Sequence, residues 1–257
     1  MKSRALKQTP LAASAPPWPS TIVTGATSGI GRALALQLVG AGVRVVAIGR
    51  NQAALCSLAD HSPLISPCAA DLSRIDELPA LIAGLVAEHP DLGCLINNAG
   101  VQHALRWDDA GSHLAALRQE VDVNLVAPMV LTQCLLPHLL ARGQGLVVNV
   151  SSGLAYMPKR TAATYSATKA GLRLFTHAMR LQMPGPAVRL VEAVMPLVDT
   201  PMTAGRGRSK LPAAEAARQL IAGVQAGRQQ VYVGQARWLP VLQRWAPGLL
   251  AQAMQRG

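Results

Sequence analysis

Short apolar runs alternate with longer amphipathic stretches between residues 21 and 233. A short apolar run bounded by polar residues or glycine predicts a buried strand, and apolar residues spaced three and four apart predict a helix. The predicted strands are Thr21–Thr24, Val43–Ile48, Leu64–Ala70, Cys94–Ile96, Leu146–Val150, Val188–Val194 and Gln230–Val233. The predicted helices are Arg32–Leu38, Gln52–Ala59, Ile75–Glu88, Ser112–Leu140, Thr161–Met183 and Ala213–Gln225. We expect Pro128 to bend the longest helix.

This alternation predicts the α/β class, with a doubly wound parallel sheet of about seven strands and helices on both faces. A single domain over 20–235 contains all the predicted elements and includes a candidate substrate loop at 201–211. Residues 1–19 are rich in proline and precede the first strand, so we expect a flexible extension there. Residues 236–257 form an apolar and basic C-terminal segment.

Composition favours a core of aliphatic side chains, because 50% of the 257 residues are hydrophobic and only 3% are aromatic. No apolar run reaches the roughly 18 residues of a membrane span. The N-terminal residues lack the continuous apolar stretch of a signal peptide. The cysteines, Cys56, Cys68, Cys94 and Cys134, are scattered over predicted helix, loop, strand and helix. Without Cys-x-x-Cys spacing they predict reduced core thiols and a cytoplasmic location.

The formal net charge of +11 raises the hypothesis of a nucleic-acid partner. The basic residues are dispersed, however, and their one cluster lies at Arg206-Gly207-Arg208-Ser209-Lys210. No helix-turn-helix or aromatic–basic pattern accompanies them, so we predict no nucleic-acid partner. A phosphate-rich nucleotide or an acidic substrate suits a basic chain better, and an arginine-rich solvated surface without a specific role is the alternative.

A glycine-rich turn joins the first predicted strand to the first predicted helix. It reads Gly25-Ala26-Thr27-Ser28-Gly29-Ile30-Gly31. Strand, glycine turn and helix are the context of a dinucleotide loop: Gly25 allows a sharp turn, Gly29 admits the pyrophosphate, and Gly31 lets helix and strand pack closely. The helix N-terminus then offers free N–H groups to phosphate. The predicted contacts of this loop are Gly25, Thr27, Ser28, Gly29, Ile30 and Gly31.

Tyr165 and Lys169 stand four residues apart in a predicted helix and therefore share one face. A phenol has a pKa near 10 in water. An ammonium one turn away favours the phenolate, so we expect Lys169 to lower the pKa of Tyr165 toward neutrality. Ser152 lies thirteen residues before the tyrosine, at the end of the apolar run Leu146–Val150.

Together with Asn124, these residues form a tetrad that resembles the active site of the short-chain dehydrogenase/reductase family. The resemblance spans Thr21 to about Gly234, and its motifs follow the family's order. It implies a single-domain Rossmann-type fold and hydride transfer between a nicotinamide cofactor and a carbonyl or secondary alcohol. The segments Ser151–Tyr156 and Pro196–Met202 are most similar to the subgroup named after the teichoic-acid D-alanylation operon oxidoreductase.

The resemblance assigns each member of the tetrad a role. Tyr165 is the general acid, Ser152 hydrogen-bonds the substrate oxygen, Lys169 lowers the tyrosine pKa and binds ribose, and Asn124 anchors a water. For Ser152 the alternative is a strand-end cap, with Ser151 as a neighbouring candidate. For Asn124 the alternative is a polar residue that kinks the helix before Pro128.

Further cofactor contacts are implied at the ends of other strands. Asp71 and Leu72 follow the third strand and reach adenine in the family, whereas Asp71 alone also suits a helix cap. Asn97-Asn98-Ala99-Gly100 follows the fourth strand, where Asn98, Ala99 and Gly100 are candidate contacts and turn formation is the alternative. After the sixth strand, Met195-Pro196 departs from the family's Pro-Gly. Val198 and Thr200 nevertheless keep their register as nicotinamide and phosphate contacts.

The end of the second strand bears on the choice between NAD and NADP. An acidic residue there would bind the ribose hydroxyls of NAD. This chain has Gly49-Arg50-Asn51 instead. A guanidinium matches a phosphate in shape and charge, so Arg50 predicts NADP(H) as cofactor. A surface arginine at the start of a helix is the alternative.

The substrate is predicted to contact Gly153–Arg160, Val101–Trp107 and Pro201–Lys210, in an apolar pocket with Arg206, Arg208 and Lys210 as candidate anion ligands. The alternative is an exposed basic loop.

The segment Trp238–Trp245 is predicted to cap the cleft, pack on a second subunit or touch a membrane, in that order. The resemblance implies a homo-dimer or homo-tetramer. A non-catalytic NADP-binding protein that senses redox state stays the alternative function.

Overall fold

The strands of the central sheet are buried along most of their length, as a parallel sheet covered on both faces requires. The computed structural model describes residues 18–105, 107, 113–183, 185–207, 209–246 and 248. The seven parallel strands are β1 Ser20–Thr24, β2 Arg44–Gly49, β3 Ile65–Ala69, β4 Leu92–Asn97, β5 Gly145–Ser152, β6 Val188–Met195 and β9 Gln230–Tyr232. A separate pair joins β7 Val198–Asp199 to β8 Leu211–Pro212.

Helices cover both faces of the sheet and confirm the doubly wound architecture. They are α1 Gly29–Gly40, α2 Gln52–Ala59, α3 Leu78–Glu88, α4 Leu114–Val121, α5 Ala127–Ala141, α6 Ala163–Gln182, α7 Ala213–Gln225 and α8 Leu239–Trp245. On one face, α1, α2 and α7 contribute Leu38, Leu55 and Leu220 to an aliphatic core cluster. On the other, α3 and α5 contribute Ile82 and Leu131 to a second one.

The strands lie in the order β3-β2-β1-β4-β5-β6-β9. All are parallel, but the order in which the chain adds them to the sheet reverses between β1 and β4. β2 pairs with one edge of β1, and β4 pairs with the other edge. Strands are therefore added in one direction up to β3 and in the opposite direction from β4 onward. In open α/β sheets, such a reversal leaves a crevice at the carboxyl ends of the two strands, where ligands bind. The topology therefore places a binding cleft beside Thr24 and Asn97.

The long predicted helix is interrupted differently from our expectation. A π-helical turn at Asp122–Val126 separates α4 from α5, and Pro128 lies in the first turn of α5. Proline has no N–H for the regular bond to Asn124, and the neighbouring N–H of Ala127 bonds instead to the carbonyl of Asp122, five residues back. The expected bend at Pro128 is thus replaced by a wider turn just before it, and this turn contains Asn124.

The stretch Leu114–Ala141 is long and apolar enough to cross a membrane, with a mean hydropathy of 1.5. Its leucines at 131, 135 and 139 are fully buried in the second core cluster. One side of this stretch therefore belongs to the protein core, and length and composition alone are weak evidence for a span.

The expected N-terminal boundary at residue 20 is two residues too late. Trp18 is 6% exposed and belongs to the first core cluster. Its Cβ lies 3.2 Å from the place where a Cβ on Gly93 would be, so Trp18 packs directly against the start of β4. The remainder of the predicted extension, 1–17, lies outside the described residues.

The four cysteines are free, but only Cys94 is a buried core thiol, and burial raises its pKa. Cys56 is exposed, whereas Cys68 and Cys134 are partly buried. Cys68 lies on β3 and not in a loop. Cys68 and Cys134 nevertheless pack against the second core cluster. The expectation of core thiols is therefore wrong for Cys56 alone, which α2 carries on its exposed side.

Trp18→Ala should lower the free energy of unfolding by about 3 kcal/mol, because it removes a large side chain from the core and leaves a cavity. Urea denaturation measures this change. Trp107→Ala is the matched control: Trp107 is 66% exposed, so its loss should change stability by less than about 0.5 kcal/mol. Equal effects from the two substitutions would contradict the packing of Trp18.

Candidate active site

A single cleft at the carboxyl edge of the sheet gathers nearly all of the predicted site residues. Its lining includes Gly25, Thr27, Ser28, Gly29, Ile30, Arg50, Asp71, Leu72, Asn98, Ala99, Gly100, Ser152, Tyr165, Lys169, Val198 and Thr200. Gly31 and Asn124 are not part of the lining and lie in the layer behind it. The sequence thus identified one contiguous site from segments that are up to 175 residues apart, Gly25 and Thr200 being the outermost.

The glycine turn is held so tightly that side chains would not fit. A Cβ on Gly31 would lie 2.2 Å from the carbonyl oxygen of Gly25, and a Cβ on Gly25 would lie 2.8 Å from the Cα of Ala99. Gly25 also has a φ of +67°, which favours glycine. Close contact between this turn and the end of β4 leaves the N-terminus of α1 open toward the cleft.

Ser28 precedes α1 in an extended conformation, and its side chain makes no capping hydrogen bond to the helix. The first N–H groups of a helix lack partners within the helix and carry a partial positive charge. An anion at this place would therefore meet backbone donors, the Ser28 hydroxyl and a favourable dipole. These are the groups that a pyrophosphate requires.

Thr24 ties the two halves of the site together, and the sequence patterns did not reveal this role. Its hydroxyl accepts hydrogen bonds from the backbone N–H groups of Asn98 and Ala99, each at 3.0 Å, and donates to the carbonyl of Ile96 at 3.3 Å. The amide of Asn98 donates in return to the carbonyl of Thr24 at 2.9 Å. The turn after β4 is therefore fixed against the glycine turn after β1.

Asn97 points away from the cleft and braces the interior. Its amide nitrogen donates to Oδ1 of Asn149 at 2.8 Å, and Asn149 donates to the hydroxyl of Thr176 at 2.8 Å. These buried bonds connect β4, β5 and α6. Asn97 accordingly braces the sheet, whereas Asn98 is the member of the pair that lines the cleft.

Asp71 caps a turn and also lines the cleft, so the structure agrees with the cap and leaves the adenine contact as a prediction. Its carboxylate accepts bonds from the N–H and hydroxyl of Ser73 at 3.0 and 2.9 Å, as in a turn cap, and it also lines the cleft. The Ser73 N–H is the main reason that the pKa of Asp71 is lowered, and the charge of Arg50 contributes to the same effect. Asp71 therefore stays ionised at neutral pH.

Arg50 ends β2 as an exposed side chain on the rim of the cleft. The alternative interpretation made it part of the start of α2. That helix is capped by Asn51, whose Oδ1 accepts from the N–H of Ala54 at 3.0 Å. Among the described residues no carboxylate forms an ion pair with Arg50, so its charge is available at the cleft rim.

Asn124 is fully buried and fully bonded. Its Oδ1 accepts from the N–H of Val101 and its Nδ2 donates to the carbonyl of Val101, both at 2.8 Å, and Nδ2 also lies 3.3 Å from the hydroxyl of Thr168. The π-helical turn that holds Asn124 therefore secures both the segment after β4 and α6. Thus Asn124 does mark an irregular helix, as the alternative proposed, and it also braces the site.

Lys169 lies in the cleft floor, and its Nζ donates a hydrogen bond to the carbonyl of Val150 at 2.8 Å. Burial lowers the pKa of Lys169 to about 8. Burial raises the pKa of Tyr165 to about 12, although the hydrogen bond with Ser152 opposes the increase. The expectation that Lys169 lowers the tyrosine pKa is wrong here, because loss of hydration disfavours the charged form of each side chain and is the main cause of both pKa shifts.

Ser152, and not Ser151, faces Tyr165. The Ser152 hydroxyl accepts from the N–H of Leu154 at 3.2 Å and hydrogen-bonds the phenol, which favours the phenolate. Ser151 is 1% exposed, and its hydroxyl has no hydrogen-bond partner within the described part of the chain. Alternation of side chains along β5 thus selects the residue that the thirteen-residue spacing had indicated.

Glu120 is an acidic neighbour of the site that the motifs did not reveal. It lies one turn before Asn124 and is 1% exposed. Burial raises the pKa of Glu120, while the nearby His103 lowers it. Its charge also contributes to the raised pKa of Tyr165. The signal in the sequence was a carboxylate four residues before Asn124, one turn away on a predicted helix.

The departure at Met195-Pro196 does not displace the loop after β6. Val198 and Thr200 both line the cleft, and the hydroxyl of Thr203 donates to the carbonyl of Val198 at 2.6 Å. A Cβ on Gly29 would lie 2.8 Å from Cγ2 of Thr200, so the loop closes directly over the glycine turn. The residue register predicted for this loop is retained.

The predicted substrate contacts are only partly brought together. Val101, Pro201 and Met202 line the cleft, and Arg206 donates a hydrogen bond to Oε1 of Gln102 across its mouth. Tyr156 and Met157 do not line it; they pack with Ala236 and Leu239 of the C-terminal segment. Arg208, also predicted as a contact, lies outside the described residues.

Comparison with known proteins agrees with this geometry. The short chain dehydrogenase family matches residues 20–210, and the chain therefore belongs to that family. It is similar to the oxidoreductase DltE of Bacillus subtilis, with 30% identity over 82% of this chain and 86% of the relative. These matches make the protein an oxidoreductase of the short-chain dehydrogenase/reductase type.

Two solved structures illustrate the range of cofactors on this fold. A short chain dehydrogenase from Burkholderia cenocepacia in complex with NADP has a TM-score of 0.81 and 26% identity, covering 92% of this chain and 97% of that one. One from Burkholderia phymatum in complex with NAD has a TM-score of 0.79 at 18% identity, covering 91% and 95%, and shares the fold alone. A nicotinamide dinucleotide is the common ligand.

Lys169→Met should make the protein more stable at pH 7, with an advantage that shrinks as the pH rises from 8 toward 10. In the wild type the folded lysine loses its proton near pH 8, while the unfolded lysine keeps it to about pH 10.5. The unfolded state then binds more protons, so wild-type stability rises with pH by up to about 1.4 kcal/mol per unit. Urea denaturation of both proteins at pH 7, 8, 9 and 10 tests this.

Tyr165 is present in both proteins, so its own titration cancels in the difference between them. A constant stability difference over this pH range would contradict the lowered pKa of Lys169.

Proposed function

We propose that this protein is an NADP(H)-dependent oxidoreductase that interconverts a carbonyl and a secondary alcohol on an apolar or amphipathic small molecule. The observation that carries the proposal is the placement of Ser152, Tyr165 and Lys169 on the floor of the cleft whose opposite wall is the glycine turn. Bound NADPH would supply the hydride. The residues of this chain would bind the cofactor, orient the substrate and protonate the substrate oxygen.

The cleft residues fit a dinucleotide along its whole length. Thr27, Ser28 and the N-terminus of α1 suit the pyrophosphate, and Asp71 with Leu72 suits the adenine end. At the other end, Val198 and Thr200 reach the neighbourhood of Lys169. The cramped glycines support this assignment, because a Cβ at Gly25 or Gly31 would collide with the backbone that shapes the cradle.

Protonation of the substrate oxygen falls to Tyr165. Its pKa of about 12 keeps the phenol protonated at neutral pH, and reduction of a carbonyl needs a protonated donor. Ser152 stands beside the phenol and can donate to the same oxygen as negative charge develops on it. Lys169, with a pKa near 8, can return a proton toward the phenol at neutral pH. Asn124, held by Val101 and Thr168, fixes the surrounding backbone.

The preference for NADP(H) rests on Arg50. It stands at the end of β2, where an acidic residue would bind the ribose of NAD, and its guanidinium is a good partner for a 2′-phosphate. The Burkholderia cenocepacia relative with bound NADP supports the same preference. A cytoplasmic location and assembly into a dimer or tetramer are parts of this proposal.

Apolar side chains around the reacting end support the substrate class. Val101, Val123, Met195 and Met202 line the cleft on that side, and few charged groups interrupt them. Hydrophobic lining with a small number of placed polar groups is the usual composition of a small-molecule site. The carbonyl would therefore meet Ser152 and Tyr165, while the remainder of the substrate packs on aliphatic surface.

Tyr165→Phe should abolish most turnover, by about 10²-fold or more, because it removes the proton donor. NADPH affinity should stay within a few-fold, since the ring is kept. NADPH oxidation with a panel of ketones and aldehydes measures the former, and fluorescence titration the latter. Tyr232→Phe is the control, because its phenol bonds Tyr156 outside the cleft. Wild-type protein that binds NADPH yet reduces no member of the panel would favour the redox-sensing alternative.

Arg50→Asp should weaken NADPH binding by about 1.5–3 kcal/mol, the value of a charge-assisted hydrogen bond, and should leave NADH binding equal or tighter. Isothermal titration with both nucleotides measures this shift. Arg228→Asp gives the same charge change on an exposed residue just before β9, at the opposite edge of the sheet. If the wild type prefers NADH, or both variants lose NADPH equally, Arg50 does not select the cofactor.

A further inference from the structure

The C-terminal helix α8 and Trp238, the residue that caps its N-terminus, carry an apolar stripe on their outer surface. Trp238, Val241, Leu242 and Trp245 are 53%, 49%, 37% and 77% exposed. Their spacing of three, four and seven residues places them within about 100° of arc on a helix of 3.6 residues per turn. We name these four residues the C-terminal stripe. Two tryptophans exposed on a single short helix are unusual for a surface that faces only water.

The helix is anchored to the domain by its opposite side. Leu239 is 7% exposed and packs with Ala236 against Val194, the penultimate residue of β6. Tyr156 and Met157, from the loop after β5, complete this contact. The C-terminal stripe is therefore presented outward by a helix that is itself fixed to the protein.

Arginines flank the stripe, and no acidic residue accompanies them. The Arg237 guanidinium lies 5.3 Å from the ring centre of Trp238, and that of Arg244 lies 5.5 Å from Trp245. After Glu215 the chain contains five arginines, Arg218, Arg228, Arg237, Arg244 and Arg256, and no Asp, Glu or Lys. The whole chain has a net charge of +11. The C-terminal part of the chain that carries the stripe is thus positive, and it has no carboxylate of its own to repel an acidic partner.

We propose that the C-terminal stripe is a docking surface for an anionic lipid bilayer. Tryptophan prefers the headgroup level of a membrane, and aliphatic side chains beside it reach the acyl boundary. Arginine extends its charged end to lipid phosphates while its stem stays on the apolar layer. A helix with an apolar face and a basic flank therefore lies in the membrane interface without crossing the bilayer.

A second copy of this chain fits the surface less well. A stable protein interface takes about 20–30 residues from each partner, and the stripe offers four side chains. Two copies joined through α8 would also bring Arg237 and Arg244 close to their like-charged counterparts, with no carboxylate in 216–257 to offset them. Lipid headgroups supply the missing negative charge.

Docking would also orient the catalytic cleft. Val194 and the loop at Tyr156 lie at the carboxyl edge of the sheet, which is the edge that holds the cleft. A helix seated in the headgroup layer therefore brings that edge to the bilayer. This docking does not depend on the proposed oxidoreductase function, because vesicle binding is measured without turnover.

Vesicle flotation with the full chain tests the proposal. The protein should float with vesicles of phosphatidylcholine containing about 30% phosphatidylglycerol, and much less with pure phosphatidylcholine, because the anionic surface attracts the basic flank. Brominated lipids should quench tryptophan fluorescence in the bound state. Absence of binding to the anionic vesicles would overturn the proposal.

Variants locate the contact. Trp238→Ser/Trp245→Ser should lower the partition coefficient at least about tenfold, whereas Leu181→Ser, which removes an 89% exposed leucine from α6, should leave it unchanged. Arg237→Gln/Arg244→Gln should lower it by about 30-fold, which corresponds to ~1 kcal/mol for each arginine. The exposed pair Arg118→Gln/Arg228→Gln is the charge control, and the arginine pair keeps the proposal testable if the tryptophan variant fails to fold.

Equal loss with both arginine pairs would show that net charge alone drives adsorption and would overturn the stripe as the contact. Light scattering, which measures molecular mass, tests the remaining alternative that the stripe joins two copies of this chain. If the tryptophan variant changes the molecular mass of the protein while the wild type does not bind vesicles, the stripe is an interface between copies of this chain, and the proposal is overturned.

Discussion

The site depends on one close approach of backbone to backbone at the carboxyl edge of the sheet. The turn after β1 and the turn after β4 meet with Gly25 against Ala99, and the hydroxyl of Thr24 holds both N–H groups at the start of the second turn. Because of this contact, α1 begins at the rim of the cleft with its first N–H groups open. Any side chain at Gly25 or Gly31 would separate the two turns and move the proposed phosphate cradle away from Tyr165.

Burial sets the electrostatics of the other half of the cleft. Lys169 and Tyr165 both lose hydration, so the lysine becomes a weaker base and the tyrosine a weaker acid than in water. Other interactions of the fold offset the free energy lost when Lys169 is buried. Lys169 is held by its hydrogen bond to the carbonyl of Val150, and the helix α6 packs beneath the cleft. Burial of a lysine is thus a feature that folding alone would not favour, and the carboxylate of Glu120 adds to the raised pKa of Tyr165.

The fold and the tetrad could be predicted because their signals are local. Tyr165, Lys169 and Ser152 are defined by spacing within consecutive elements, and the glycine turn is defined by its own residues between a strand and a helix. The π-helical turn at Asn124 could not be predicted, because the proline that accompanies it is equally compatible with a simple bend. Burial of Trp18 was hidden by the prolines around it, since its partner Gly93 is distant in sequence. The direction of the Tyr165 pKa shift depends on how much water reaches the side chain, which only tertiary packing determines.

A crystal structure of the complex with NADPH is the most direct test of the account. The account predicts that the nicotinamide lies beside Ser152 and Tyr165, that the pyrophosphate lies at Ser28 and the N-terminus of α1, and that the guanidinium of Arg50 contacts the 2′-phosphate. A nucleotide bound elsewhere, or bound in this cleft with its adenine end at Tyr165, would contradict the assignment of the site.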